Sequence, residues 1–460
     1  MTAILLVGFA LLTLWPAYNL ALVAFSAGDA ATAGRRRRRD AIAPNGNEPQ
    51  TFWIVVPALN EERVVGRTVG AALALSGPDG TRTRVLVVDD GSDDGTPDVL
   101  AAIDHPGLTV LRRDFPNARK GKGEALNAAF RAIRDLSLAN GENPDRVAVG
   151  VIDGDGRGSD NLLAEISKLM RDPEVGAVQV RVRIHNRNRV LGAVQDLEFA
   201  AIANASQLLR DAAGTVGLGG NGQFARLSSL MRLGDDPWSH CLVEDLELGL
   251  RMHLNGERIR YTSIAHVKQQ GLVDVKRLLR QRTRWAQGNL QCVAYVPRLI
   301  ASRKIRNHAL LEMLYYLLAP WMNAFGTAAV FGLWGYAAWQ LLPGHGDTFL
   351  IHSWGQLAEV LLFFAVGMTV PGLVWAGVHR YQLRDEKLSV LFGAALAYPF
   401  FLMLGLVSTW RAIGRQVARR NAWAKTERLA EEPMVGELLV TGPIVPLPVT
   451  AVPVEEPVAA

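Results

Sequence analysis

The chain has 460 residues, a formal charge of +5 with its histidines neutral, and only 20% charged side chains. Its hydrophobic share is 49% before 44 glycines are counted, above the about 45–50% of a soluble domain with glycine included, and the mean hydropathy is +0.12. Disorder along the whole chain is excluded, and so is a disulfide-built fold, because Cys241 and Cys292 are the only cysteines and suit a reducing cytosolic setting.

The N-terminal stretch Ala3–Phe25 is 23 positions without a charge, about the ~20 residues that cross a bilayer as a helix. A cleaved signal peptide fits less well, since no basic residue precedes the run and it exceeds the usual core of about 7–15 residues. Arg35–Arg39 follow; by the positive-inside rule this flank is cytoplasmic and the N-terminus faces out. A solvated linker and a contact to anionic lipid both account for the arginines. Nucleic-acid binding is not expected, because no recognition motif follows them.

From about Gln50 the pattern alternates. Phe52–Val56 reads as a strand leading to Pro57 and a helix near Glu62–Leu75. Arg84–Val88 leads to the turn Asp89–Gly95 and a helix near Pro97, and Val147–Ile152 leads to Asp153 and a helix near Asn161–Met170. Such alternation predicts an α/β fold with a mostly parallel sheet, in which ligands bind beyond the carboxyl ends of the strands. The acidic clusters fall at those ends.

Asp89, Asp90 and the Asp/Gly run to Thr96 could accept bonds from a base or ribose, although a helix-capping turn explains them equally well. Lys120 and Lys122 add phosphate-seeking charge before a helix, in a loop that is not a Walker sequence. Asp153 and Asp155, one residue apart at a strand end, can share a hard divalent cation that neutralises a departing diphosphate. Gly219-Gly220-Asn221-Gly222-Gln223 could let backbone approach a ligand closely, although a plain turn explains it almost as well. Glu244-Asp245 opens a helix, where acidic residues are favoured by the dipole; Asp245 could also act as a general base towards an acceptor hydroxyl. Gln281-x-x-Arg284-Trp285 sits on a basic helix with the character of an interfacial amphipathic segment, yet an arginine beside an indole suits phosphate and a sugar face.

Beyond residue 305 come three apolar stretches, Ala309–Leu342, Trp354–Val378 and Leu388–Trp410. The connector Pro343–Asp347 lacks Lys and Arg and reads as outside; Arg380–Lys387 reads as inside. If all three span, the segment holding Arg411, Arg415, Arg419, Arg420, Lys425 and Arg428 lies outside, against the positive-inside rule. Pro399 suggests that the third stretch is re-entrant or interfacial, which restores an even count. The Pro/Val/Glu-rich end is expected to be a disordered tail.

Taken in order, Pro57-Ala58-Leu59-Asn60-Glu61, Asp89/Asp90, Lys122, Asp153-x-Asp155, Glu244-Asp245 and Gln281-x-x-Arg284-Trp285 resemble family 2 glycosyltransferases of the membrane-embedded processive type, which includes cellulose, chitin and hyaluronan synthases. The likeness covers about Thr51 to Gln291. It implies a GT-A fold, a nucleotide-sugar donor (a UDP-sugar such as UDP-glucose or UDP-N-acetylglucosamine) and Mg²⁺ or Mn²⁺. Carried over, Pro57, Asn60, Glu61, Asp89, Asp90, Lys122, Asp153 and Arg284 would bind the nucleotide-sugar, Asp153 and Asp155 the metal, and Glu244, Gln281 and Trp285 the acceptor, with Asp245 as base.

The implied organisation is an N-terminal span at 1–27, a basic linker at 28–50 and a cytosolic catalytic domain at 51–275. An interfacial helix at 276–305, a membrane region at 306–412 and a basic tail at 413–460 complete it, in a multi-pass protein of the cell membrane. The expected reaction is inverting extension of a β-linked polysaccharide, with the product expected to be threaded outward between the spans as it grows. Its rivals are a non-processive transferase acting on polyprenyl phosphate or another lipid, and a non-catalytic glycan-export component. Departures from the cellulose-synthase pattern, Val243 before Glu244 and Gly-Asn-Gly-Gln in place of Phe-x-Cys-Gly-Ser, leave the acceptor open, and with so short a tail regulation by a cyclic-dinucleotide sensor domain is not expected.

Overall fold

In the computed structural model, residues 17–28, 46–343 and 351–420 are described. Eight strands, β1 (Thr51–Ala58), β2 (Arg82–Asp89), β3 (Leu108–Arg112), β4 (Val147–Val151), β5 (Arg157–Gly158), β6 (Val175–Ile184), β7 (Gln223–Arg226) and β8 (Arg258–Gln269), form one sheet in the order β3-β2-β1-β4-β7-β6-β8-β5. The first four run parallel, as do β6 and β8. β7 is antiparallel to both of its neighbours, and β5 to β8.

The helices in chain order begin with α1 (Ala17–Gly28), α2 (Val65–Leu73), α3 (Thr96–Ala101), α4 (Lys122–Ala139) and α5 (Leu162–Leu169). Next come α6 (Val190–Leu197), α7 (Asn204–Ala213), α8 (Leu227–Met231), α9 (Glu244–Asn255) and α10 (Val275–Cys292). Last are α11 (Val296–Ala301), α12 (Asn307–Gln340), α13 (Trp354–Gly367), α14 (Val370–Gln382) and α15 (Leu388–Val417). Successive β1 side chains enter opposite cores, as the period of two in a strand requires. Phe52, Ile54 and Val56 pack with α2 and α5, while Trp53 and Val55 pack with α4 and α9. The sheet is therefore packed on both faces, and the loops at the carboxyl ends of β1, β2 and β4 stay open to a ligand. This is the α/β arrangement that the alternation predicts, with strands and helices within a few residues of their expected places.

Three stretches are long and apolar enough to cross a membrane, Asn307–Gln340, Trp354–Gln382 and Leu388–Val417. They coincide with the three expected from sequence. α1 is a shorter apolar helix. The first part of the expected N-terminal span, the arginine run, most of the 343–347 connector and the tail beyond residue 420 lie outside the described residues.

Pro399 does not break α15, which continues through it for 30 residues. Both ends of this helix meet the sheet-bearing unit. Just ahead of it, Asp385 accepts bonds from Arg183 at 3.0 Å and Arg187 at 3.1 Å; near its end, Arg415 donates to Gln287 of α10 at 2.9 Å. Between them α15 packs along α6 and α10, with Phe401 under the Arg282 guanidinium at 5.0 Å.

A buried carboxylate joins these parts. Asp196 on α6 is 1% exposed and accepts from Arg183 at 2.9 and 3.1 Å, from the Ile184 amide at 2.9 Å and from His379 of α14 at 3.0 Å. Burial pushes this carboxyl up, but the bonds from His379 and Arg183 outweigh it and hold the group well below the usual carboxylate range. Replacing it with Asp196→Ala leaves the Arg183 guanidinium, 6% exposed, with Asp385 as its remaining carboxylate and removes the acceptor of His379, and is expected to cost on the order of 3 kcal/mol, the low end for breaking a buried pair. The fall in Tm of the detergent-solubilised protein measures this, with exposed Glu174→Ala as a control expected to stay within about 0.5 kcal/mol.

Candidate active site

The carboxyl ends of β1, β2 and β4 open onto a cavity of about 410 Å³ whose far wall is built by α7, α9, α10 and α12. Pro57, Glu61, Asp90, Lys122, Asp153, Glu244, Asp245, Gln281, Arg284 and Trp285 all line it. Residues up to 228 positions apart, from Pro57 to Trp285, are thus gathered around one space. Asn60, Asp89 and Asp155 do not line it, and each has a visible bonding role nearby.

Asn60 adopts φ 55° and ties the loop after β1 to the loop after β2. Its amide donates to Ser92 Oγ at 2.9 Å, its Nδ2 to Asp93 at 2.6 Å, and its Oδ1 accepts from the Asp93 amide at 3.0 Å. Asp89 ends β2, accepts from the Ser92 amide at 3.0 Å and pairs with Arg112 of β3. Asp90, the next residue, reaches the cavity while accepting from Arg113 at 2.6 Å. Burial raises the Asp90 carboxyl above its ordinary value in spite of that arginine. Asp155 is 1% exposed and accepts the Gln270 amide at 2.8 Å, so the two aspartates of the motif face different surroundings.

At the centre stands Lys122, the first residue of α4, set there by Gly121 at φ 115°. Its Nζ donates to Asp153 Oδ1 at 2.6 Å and lies 3.7 Å from Glu244 Oε1. Burial alone would lower its ammonium. The fields of Asp153, Glu244 and Asp245 outweigh that and hold it above its ordinary value, so it stays charged. Asp245, on the first turn of α9, accepts the Leu246 amide at 2.8 Å. Its depth in the cavity, then the neighbouring charge of Glu244, push its pKa up to about 7 against the pull of Lys122.

Gln281, Arg284 and Trp285 sit at i, i+3 and i+4 on α10, hence on one face. Arg284 donates to the Leu242 carbonyl at 3.2 Å, bracing the loop that leads to Asp245. Trp285 meets Phe199 edge to face at 6.3 Å, and the Arg282 guanidinium lies 4.8 Å from its ring centre. Arg282 in turn makes a two-pronged pair with Glu198 at 2.6 and 2.5 Å, so the indole is clamped before any ligand arrives.

Sequence reading missed several lining residues, among them Gln207, Arg210, Tyr261, Asn289 and Tyr316. One of them carried a signal through its partner: Glu312, an acid inside an apolar stretch, is costly unless matched, and it accepts from Arg210 at 2.7 Å. The Gly219–Gln223 loop passes close to two of the cavity's charged groups. Gly220 has φ +74°, and a Cβ there would stand 2.9 Å from Asp245 Oδ2 and 3.2 Å from Lys122 Nζ. Among the described residues no group of three or more His, Cys, Asp or Glu is placed to hold a metal by itself.

A charged ammonium amid carboxylates, an acid able to exchange a proton near neutrality and a clamped indole form a site suited to moving a group from a phosphorylated donor to a hydroxyl. The beta-monoglucosyldiacylglycerol synthase of Trichormus variabilis is 32% identical over 281 residues, 60% of this chain and 56% of that protein. The poly-beta-1,6-N-acetyl-D-glucosamine synthase of Staphylococcus aureus is 26% identical over 248 residues, 53% of this chain and 56% of that protein. The chain thus spans little more than half the length of these two relatives. Among solved structures, the mannosyltransferase PcManGT from Pyrobaculum calidifontis in complex with GDP-Man and Mn²⁺ shares the fold at a TM-score of 0.55 and 20% identity, over 88% of this chain and 99% of that one. A model of the family described as "Glycosyltransferase like family 2" matches residues 49–288, and the chain belongs to that family.

Proposed function

We propose that the protein is an inverting hexosyltransferase that moves a sugar, glucose first among candidates, from its UDP conjugate to a hydroxyl of a membrane lipid. The observation that carries the lipid reading is the makeup of the cavity wall. Tyr316 of α12 lines the same space as Asp245, and α12 continues as a 34-residue apolar helix. A hydroxyl presented from the membrane would reach the site along that wall. The names of the more similar relatives, lipid glucosyltransferases at 30–32% identity, support this. Extension of a polysaccharide is the second reading, favoured by the cavity-lining Gln281, Arg284 and Trp285.

In the proposed step, Asp245 takes the acceptor proton while the hydroxyl oxygen attacks the anomeric carbon from the side opposite the diphosphate. Lys122 and Arg284 stabilise the departing charge, and Trp285 supports the apolar face of the acceptor. Asp90, which lines the cavity with Pro57 and Glu61, would hold the base or ribose. Asp89 and Asn60 would then act by fixing the loops that carry these residues.

Mg²⁺ or Mn²⁺ fits Asp153, a cavity-lining carboxylate at a strand end, if substrate phosphate and water oxygens complete the shell; Mg²⁺ ordinarily takes one or two carboxylates in this way. Asp155, turned to the Gln270 amide, would support it from behind. Such an ion, when bound, supplies positive charge against the leaving diphosphate. The segment boundaries expected from sequence are retained on this reading. The catalytic unit faces the cytoplasm, and α15 lies along the inner membrane face, its two ends held by Arg183 and Gln287.

Asp245→Asn should lower UDP release by about 10²–10⁴-fold with donor affinity unchanged by calorimetry; retained turnover would remove Asp245 from the base role. Because the base works deprotonated, kcat/KM should be full above about pH 7 and fall as pH drops through that value. Glu244→Gln removes the like charge and should move this fall to lower pH. Mass spectrometry of products from UDP-glucose and diacylglycerol should show a lipid carrying one hexose. A long polymer made without lipid would reject the lipid reading for the second one.

A further inference from the structure

On the basis of that hexosyltransferase reading, we propose that Gln207 and Arg210 of α7 form the subsite for the acceptor's head, and that the head it fits is an uncharged polyol, glycerol or sugar, and not a phosphate. Both side chains line the cavity about one helical turn apart. Arg210 is 5% exposed. Its Nε donates to Glu312 of α12 at 2.7 Å, and its guanidinium carbon lies over the Tyr316 ring, 3.7 Å from the centroid. Held at one edge by a carboxylate and on one face by an aromatic ring, it has a single orientation, and the membrane helix supplies both restraints.

The charge balance selects the ligand. Among the described residues of α7 and α12 that line the cavity, Arg210 is the one cation and Glu312 matches it, so Arg210 offers N–H donors with little net field. A phosphate placed against it would meet Glu312 with no positive charge left over. Lys122 and Arg284 line the cavity elsewhere and are assigned to the donor diphosphate. Arg181 stands behind Asn204, donating to its Oδ1 at 3.0 Å, and is not a lining residue. Gln207 exchanges bonds with the backbone of Gly217 at 2.7 and 3.3 Å, which by count leaves it one N–H and one lone pair. A donor-and-acceptor amide beside a neutralised arginine matches hydroxyls, which also donate and accept.

Gly217 makes the subsite testable without disturbing the core. A Cβ there would stand 3.0 Å from Arg210 Nη1 and meet nothing else within 4 Å. Gly217→Ala therefore crowds only the end of one side chain. The experiment uses the full-length protein in detergent micelles with UDP-glucose and three acceptors: diacylglycerol, monohexosyl diacylglycerol and polyprenyl phosphate. The uncharged lipids should be used with kcat/KM at least roughly tenfold above the phosphate, the scale of one charge-assisted bond. Gly217→Ala should raise acceptor KM several-fold with donor KM unchanged, and Glu312→Gln, which leaves Arg210 unmatched, should narrow the discrimination against phosphate. A wild-type preference for polyprenyl phosphate, or an unaltered acceptor KM and discrimination in both variants, overturns the subsite while transfer itself stands. Absence of transfer to every acceptor would instead overturn the hexosyltransferase reading on which it rests.

Discussion

The site is organised around one half-buried ammonium. Lys122 reaches Asp153 at 2.6 Å and Glu244 at 3.7 Å, and Asp245 lies close enough to raise the ammonium as well. Three carboxylates from two distant loops could not share a cavity without it, since like charges at this range in a low dielectric repel strongly. With it, Asp153 and Glu244 are matched, whereas Asp245 is left deep in the cavity at about 7. The same cation therefore assembles the loops after β4 and before α9 and separates an anion suited to the donor from an acid suited to proton transfer.

Much of this was legible in the chain because strand ends and helix starts are written locally. The alternation of apolar runs with Asp/Gly turns located β1, β2 and β4, and the motifs fell at their ends. What stayed hidden was which of two neighbouring acids faces the cavity. Asp89 and Asp90 are adjacent, so an extended backbone sends them in different directions, one to Arg112 and the other to the cavity. Asp153 and Asp155 likewise part company, because the chain turns between them and delivers Asp155 to the end of β8. Only tertiary pairing decides such cases.

The membrane side was legible in outline alone. Apolar length gave three stretches correctly, but not how they meet the sheet-bearing unit. Contacts from Arg183 to Asp385 and from Arg415 to Gln287 bind both ends of α15 to that unit. An interfacial third stretch, with the basic residues 411–420 on the cytoplasmic side, accords with those contacts and with the positive-inside rule. Glu312 is an acid within an apolar run, yet the arginine that matches it, Arg210, lies 102 positions away in the chain.

The central claim is that Asp245 activates the acceptor for a single in-line displacement, and the anomeric configuration of the first-turnover product tests it most directly. With an α-linked UDP-sugar as donor, proton NMR of the isolated product should show a β-linkage, formed by one inversion at the anomeric carbon. An α-linked product would mean retention, and would contradict a mechanism in which Asp245 acts only as the base.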